Sequence, residues 1–412
     1  MNSNTIKNIP SVILSMIAAY LSVKEIKQFR LVCHMFYDAT FCKQVLKKFK
    51  VKCRTPNNIY SNFLRGFSGG KFLTLSMLSV TENSLNKILD VVPNIQNLVF
   101  NIKYLHHLKN RCSSLISLTL VDDKSCLLHQ MKHCDLDTFF RPTLSTLNLK
   151  NLTFKSCGLS YHSELIQVLI CSSKTIQEFG LECTTINNTK NYRVFKEFIL
   201  SCRNITSWNF HNVHIVKRGV LLPFTTKQYT CMDSVLSLIN NQHSNLQSFT
   251  LASLIPYVDK VWKKNNFKEL QYLELHSCFF YFNEMPNCAK LTTLKLMKCH
   301  LPFYHLMKLS FSVRDRLQKL TVQSYKEFDD EKILKVIDAF VKLREITIMN
   351  MRMVTPKILE KINHSDLKFF SIENCYNFNK KAVRENIQLI RADLKFTVVF
   401  NDMVNGVPIS LF

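Results

Sequence analysis

The residue types best suited to chemistry stand at a few places in this 412-residue chain. Cys126-x2-His129-x3-His133-Cys134 offers two thiols and two imidazoles at helical spacing, a tetrahedral zinc ligand set. With 15 cysteines and 13 histidines, composition alone accounts for one such grouping, and no second Cys-x-x-Cys pair accompanies it, so no metal is expected. His211-x2-His214 is a weaker pair still. Asp329-Asp330-Glu331 gathers three carboxylates where a helix should begin, and stabilisation by the helix dipole explains them better than acid–base catalysis. The sequence contains no Gly-x-x-x-x-Gly-Lys loop, Gly-x-Ser-x-Gly elbow or His-Glu-x-x-His helix. With 7 glycines, phosphate-cradling loops are nearly excluded. These residues predict a protein that is not an enzyme and uses no cofactor.

What the chain repeats is a phrase, Leu-x-x-Leu-x-Leu. It reads FLTLSM from Phe72, IQNLVF from Ile95, LISLTL from Leu115, LSTLNL from Leu144, IQEFGL from Ile176 and ITSWNF from Ile205. It continues as LQSFTL from Leu246, LQYLEL from Leu270, LTTLKL from Leu291, LQKLTV from Leu317, LREITI from Leu343, LKFFSI from Leu367 and LKFTVV from Leu394. The mean interval is roughly 27 residues, within the span of leucine-rich repeats. In a strand the fourth and sixth residues of the phrase point inward while the third, fifth and seventh point out. Between strands the period turns helical: Ile333, Val336, Ile337 and Phe340; Leu85, Ile88 and Leu89; Ile358, Leu359 and Ile362. No single unit buries both faces, so neighbours must stack.

Cysteines mark the same register. Cys112, Cys202 and Cys288 stand three residues before the first apolar residue of a phrase, and Cys278, Cys299 and Cys375 stand eight after it. This arrangement resembles the cysteine-containing class of leucine-rich repeats. The resemblance implies an α/β solenoid curved like a horseshoe over residues 72–412, with about 13 irregular repeats. An odd cysteine count without a disulfide framework suggests a reducing compartment. The apolar run Val12–Leu21 is too short to span a membrane.

The formal charge of +24 invites a nucleic-acid reading, which the outward strand positions test. Their charged members are Lys150, Glu178, Glu182, Glu274, Lys295, Lys319, Glu345 and Glu373, a nearly neutral set, so no phosphate-tracking groove and no nucleic-acid partner are expected. The mixed surface of Tyr272, His276, Met297, Glu345, Met349, Phe369 and Glu373 instead suits a protein target. A local basic block, Lys43, Lys47, Lys48, Lys50, Lys52 and Arg54, reads either as a contact for an acidic partner or, more simply, as the solvated face of a helix whose apolar side is Val45, Leu46 and Phe49. Residues 213–232 overfill their repeat and read as a loop over one face or a folding irregularity.

The first fifty residues follow another pattern. Ile9-Pro10 opens a helix with apolar Ile13, Leu14, Ile17, Ala18 and Leu21, and Ser22-Val23-Lys24-Glu25 is a capping box for a second helix. Helices this short and apolar need a partner, in their own chain or another. IPSVILSMIAAYLSVKEIKQFRLVCHMF resembles the F-box at Ile9, Pro10, Ile13, Leu14, Tyr20, Leu21, Arg30, Val32, Cys33 and Phe36, with Val12 where an acidic residue is common and Ile9 in place of leucine.

The resemblance implies docking on a Skp-type adaptor of a cullin–RING ubiquitin ligase through Ile9, Pro10, Ile13, Leu14, Ile17, Leu21, Val32, Cys33 and Phe36, with Leu14, Ile17, Val32 and Phe36 as anchors. The expected organisation is an F-box over 1–41, a basic helical linker over 42–71 and the repeats over 72–412. The expected function is the substrate-recognition subunit of an SCF complex, capturing an unknown protein target in the cytoplasm or nucleus, away from membranes. A non-degradative interaction scaffold built on the repeats is the alternative.

Overall fold

The computed structural model describes residues 9–32, 34–40, 45, 50–52, 73–77, 82–91, 95–108, 111–122, 147–156, 174–183, 185–187, 189–216, 235, 238–239, 241–252, 267–277, 288–299, 303–323, 328–362, 366–378, 393–404 and 407–411. Outside them lie Cys33, Cys278, the Cys126–Cys134 grouping, the segment 217–232 and most of the basic block. The chain divides into two compact units, Met1–Gln177 and Glu178–Phe412.

The first unit opens with three helices, α1 (Ser11–Tyr20), α2 (Val23–Phe29) and α3 (His34–Ala39). The capping box forms as its spacing demands: Glu25 N–H donates to Ser22 Oγ at 3.3 Å and Ser22 N–H to Glu25 Oε2 at 2.7 Å. Ala18, Ile26 and Val45 form a small core, with Ala19, Leu21 and Phe29 packed on it. Four parallel-paired neighbours follow from β1 (Lys50–Lys52): β2 (Leu73–Met77), β3 (Ile95–Asn101), β4 (Ser117–Val121) and β5 (Asn151–Lys155). Lys50–Lys52, read above as part of a helical linker, is thus an edge strand. Helix α4 (Glu82–Val91) buries Leu85, Ile88 and Leu89, the predicted stripe.

One phrase is corrected. The strand expected from Leu144 begins five residues later, so the working phrase is LKNLTF from Leu149, paired Leu118 to Leu152 and Leu120 to Phe154. The stretch LSTLNLKNLTF contains two overlapping matches. Leu147 and Leu149 are buried in the frame adopted, which also encloses Phe154, the largest side chain of the stretch.

The second unit carries β6 (Glu178–Glu182), β8 (Ser207–His211), β10 (Ser248–Ala252), β11 (Tyr272–His276), β12 (Thr293–Met297), β13 (Lys319–Gln323), β14 (Glu345–Met349), β15 (Phe369–Glu373) and β16 (Lys395–Val404) in one parallel series. The antiparallel strand β17 (Val407–Leu411) follows it, and β7 (Thr185–Asn187) and β9 (His214–Val216) pair separately. Helices α5 (Thr189–Ser201), α6 (Phe303–Val313), α7 (Asp330–Ala339) and α8 (Ile358–Lys361) occupy the connections.

Asp329 caps α7 by accepting from Lys332 N–H at 2.9 Å, and Asp330 and Glu331 lie in its first turn. Asp330 also accepts from Thr355 N–H at 2.7 Å, so this carboxylate group is structural. The phrase expected from Leu394 is shifted by one residue: Phe396 and Val398, not Thr397 and Val399, face inward, opposite Phe370 and Ile372. A one-residue slip exchanges the two faces of a strand, and the contact of Phe396 with Phe370, 5.8 Å between ring centroids, favours the frame adopted.

Seven of the described strand exits share a device. Ser156, Cys183, Asn212, Ser277, Lys298, Asn350 and Asn374 all hold φ between 50° and 56°, and each is the eighth residue of its phrase. The left-handed turn aims the exit backbone at the next strand: Ser277 N–H donates to Met297 O at 2.8 Å and Asn374 N–H to Val399 O at 2.8 Å. Asparagine tolerates this conformation better than most residues; serine, lysine and cysteine meet a steric cost there.

The predicted cysteines sit just outside this corner. Cys299 Sγ lies 3.2 Å from Leu275 O, and Met351 N–H donates to Cys375 Sγ at 3.4 Å. Cys112, Cys202 and Cys288 are buried before the strands, and burial pushes the Cys112 thiol up to about 11 and that of Cys288 to about 12. Such thiols are packing groups. His243 takes the equivalent place before Leu246, beside Trp208 at 5.5 Å, and burial lowers its pKa to about 4.

Candidate functional site

The three N-terminal helices are apolar on two sides. Leu14 and Ala18 are fully enclosed, while Val12, Ile13, Met16, Ile17 and Tyr20 on the other faces of α1 are exposed, Tyr20 at 87%. Leu31 at 86% and Val32 at 56% follow α2 directly, and Tyr37 projects from α3. A helix apolar nearly all round normally lies inside a protein. Here the inward stripe has its own small core, and the outward one is left to solvent.

Their positions are fixed from beneath. Phe29 and Phe36 meet at 4.4 Å between ring centroids, tying α2 to α3. Arg30 Nε donates to Thr40 Oγ1 at 2.6 Å, Thr40 Oγ1 donates to Tyr37 O at 2.6 Å, and the Arg30 guanidinium lies 5.6 Å over the Tyr37 ring. Of the residues named for adaptor docking, Pro10, Ile13, Ile17 and Val32 are exposed, and Ile9, Leu21 and Phe36 are partly covered. Leu14 is a correction: at 0% exposure it belongs to the core and cannot touch another molecule without unfolding. Val12, Met16, Tyr20 and Leu31 enlarge the face beyond the residues the family pattern marks. Their signal was present as apolar residues off the main helical stripe.

The sheet of the second unit presents a different surface. Tyr272, Glu274 and His276 alternate along β11, so all three stand on its outward face. Tyr272 OH donates to Glu274 Oε2, His276 Nε2 lies 2.6 Å from Oε1, and Lys295 Nζ from β12 approaches Oε2 at 3.8 Å. The His276 hydrogen bond, then those of Tyr272 and the charges of Lys295 and His276, hold the Glu274 carboxyl at about 2 against the opposing effect of burial. Burial and the neighbouring carboxylate push the Tyr272 phenol up. His211, two strands away on β8, meets the His276 ring at 5.5 Å.

The other outward residues lie beyond β13. Glu345 pairs with Lys319 at 2.8 Å and stands opposite Phe369, while Met349 stands opposite Glu373. The predicted seven therefore form two groups: Tyr272, His276 and Met297 around Glu274, and Glu345, Met349, Phe369 and Glu373 on β14 and β15. Each is partly exposed. Across β13, β14 and β15, Thr321, Thr347 and Ser371 form a row of short hydroxyl side chains. The sequence marked Glu274 and Lys295 as charges only; the Tyr-x-Glu-x-His spacing on one strand was the signal for the cluster, and Lys295 needed the strand register. The arrangement offers hydrogen bonds and a fixed charge; it presents no nucleophile activated by a base.

The F-box domain family model matches residues 6–41. No curated protein matches the chain. Among solved structures, Rad7 in the crystal structure of the yeast Rad7–Elc1 complex is similar, with 14% identity, 95% of this chain and 89% of that chain covered, and a TM-score of 0.53. An internalin from Listeria monocytogenes matches at 12% identity over 83% of this chain and 77% of that one, TM-score 0.31. TLR13 in complex with ssRNA13 matches at 15% identity over 81% and 47%, TM-score 0.38. No described helix is long and apolar enough to cross a membrane. The chain thus joins an F-box domain at residues 6–41 to a leucine-rich-repeat fold.

Proposed function

We propose that this protein is the substrate-recognition subunit of an SCF-type cullin–RING ubiquitin ligase, gripping a Skp-type adaptor with its N-terminal helices and a target protein with its repeats. The observation that carries the reading is the exposed apolar face of Ile13, Met16, Ile17, Tyr20, Leu31 and Val32, built on an F-box domain with a core of its own. An apolar face of this density is what a permanent partner covers. The fold neighbour Rad7, crystallised with Elc1, lends support to a partner of the adaptor kind.

The contribution to ubiquitin transfer is positional. Holding the target beside a charged conjugating enzyme replaces a bimolecular encounter by a high local concentration. Chemistry is left to the other subunits, and the packed thiols and self-satisfied carboxylates of this chain suit that division. The reading places the protein in the cytoplasm or nucleus, with the F-box ending near residue 41 and the repeats beginning near residue 72.

The test is co-purification of adaptor, cullin and RING subunit with the full chain and with an Ile17→Ala/Val32→Ala variant. Loss of all three from a variant with unchanged circular dichroism is expected. Recovery of the adaptor at the level of the parent would overturn the reading, and adaptor without cullin would favour the non-degradative scaffold.

A further inference from the structure

We propose that Glu82, His106 and His107 form a binding site for a divalent transition metal of the zinc class, fastening two successive connections of the first unit. Glu82 opens α4, which precedes β3; the histidines lie on the 3₁₀ helix Ile102–Leu108, which follows it. The apolar residues of both elements determine where these three point. Leu85, Ile88 and Leu89 turn one side of α4 inward and leave Glu82 in the first turn exposed. On the 3₁₀ helix, Ile102, Leu105 and Leu108 recur at its three-residue period and are all buried, so positions 106 and 107 remain together on the outer flank. Buried Asn101 anchors the start of this helix, accepting from Lys103 N–H at 3.1 Å.

The result is a convergence of donors. The two imidazole rings lie 3.9 Å apart between centroids. Glu82 Oε1 stands 3.2 Å from His107 Nε2, and one ligand atom from each of the three residues lies within 4.8 Å of the others. That nitrogen is sealed from solvent and lacks a well-aligned hydrogen bond among the described residues, although its carboxylate neighbour is close. Donors around tetrahedral zinc with bonds of about 2.0–2.1 Å sit about 3.4 Å apart, so small rotations of these side chains complete the geometry. The Glu82 side chain, 61% exposed, has the freedom to make that adjustment.

Two imidazoles and a carboxylate favour zinc, cobalt, nickel or copper over calcium and magnesium, which prefer all-oxygen shells. Three protein ligands leave the remaining position to water. The neighbouring Arg111 does not fill the site: its Nη1 bonds Asn86 Oδ1 at 2.8 Å and faces Asp90 Oδ1 at 3.5 Å, one and two turns further along α4. These contacts already brace the same helix and prearrange the donors.

The experiment is a Co²⁺ titration of the full chain followed by its visible ligand-field absorption, with Cys126 and Cys134 replaced by serine in every arm to remove competing thiolates. One equivalent of Co²⁺ is expected at micromolar affinity without a thiolate charge-transfer band, together with a rise of a few degrees in the unfolding midpoint when Zn²⁺ is added. His107→Gln and, separately, Glu82→Gln should each weaken uptake at least about tenfold and abolish the Zn²⁺-dependent rise. Their metal-free midpoints serve as the folding control. Equal Co²⁺ affinity in parent and both variants, or no uptake by the parent at about 100 µM Co²⁺, overturns the assignment.

Discussion

The outward face of α1 and the outward face of β11 are both presented to solvent, yet they are built in opposite ways. On α1, Ile13, Met16, Ile17 and Tyr20 present mostly apolar surface that gains from cover rather than from hydrogen bonds. On β11, Tyr272, Glu274 and His276 satisfy one another, with Lys295 completing the charge balance. The first surface gains free energy on burial wherever its partner fits, whereas the second must exchange internal hydrogen bonds for intermolecular ones. On the reading proposed above, permanent docking belongs to the former and selective recognition to the latter.

The largest effect should come from Leu14→Ala, because Leu14 lies in the core beneath the exposed apolar face. A loss of about 2–5 kcal/mol in denaturant unfolding is expected; a change below 0.5 kcal/mol would dissolve the distinction between the two sides of α1. Ile17→Asp should leave stability within about 0.5 kcal/mol while weakening adaptor binding about a hundredfold or more by calorimetry, a cost of about 2.7 kcal/mol. If Ile17→Asp unfolds the protein instead, the residue belongs to the core.

Glu274→Gln should cost about 1–3 kcal/mol and leave adaptor binding untouched. The sign of its pH dependence follows from a carboxyl held at about 2 in the fold, below its ordinary value of 4.5. Its stabilisation is therefore complete above the unfolded value and fades as the pH falls from about 5 toward 2. Acid unfolding curves of parent and variant should converge in that window, and parallel curves would show the cluster to be energetically silent. Lys298→Gly should have the smallest effect, a gain of about 0.5–1 kcal/mol from relieving a side chain at φ 53°, read as an upward shift in unfolding midpoint.

The strands were legible because their leucines occupy one face at fixed intervals, and the stripes of α4 and α7 were legible for the same reason. Frame failed where two frames were both apolar. Between Leu144 and Phe154 either phrase buries leucines, and only packing volume selects the one that encloses Phe154. At Leu394 the tie was broken by Phe370 on the neighbouring strand, which a single segment cannot display.

The exposed apolar face was half legible. A one-stripe reading of α1 gathers Ile13, Leu14, Ile17 and Ala18 together, yet Leu14 and Ala18 look inward and the other two outward. Glu82, His106 and His107 were beyond reach, since their meeting depends on how two connections fold around β3.

The left-handed corner always falls at the same distance from the residue that opens a strand, while the stretch from that corner to the next opening varies widely, being brief between Ser277 and Leu291 and long between Asn212 and Leu246. The chain therefore pairs a cassette of fixed length with a spacer of variable length. New material can enter the spacers without disturbing the alignment of any strand, whereas a single insertion inside a cassette would exchange the two faces of that strand.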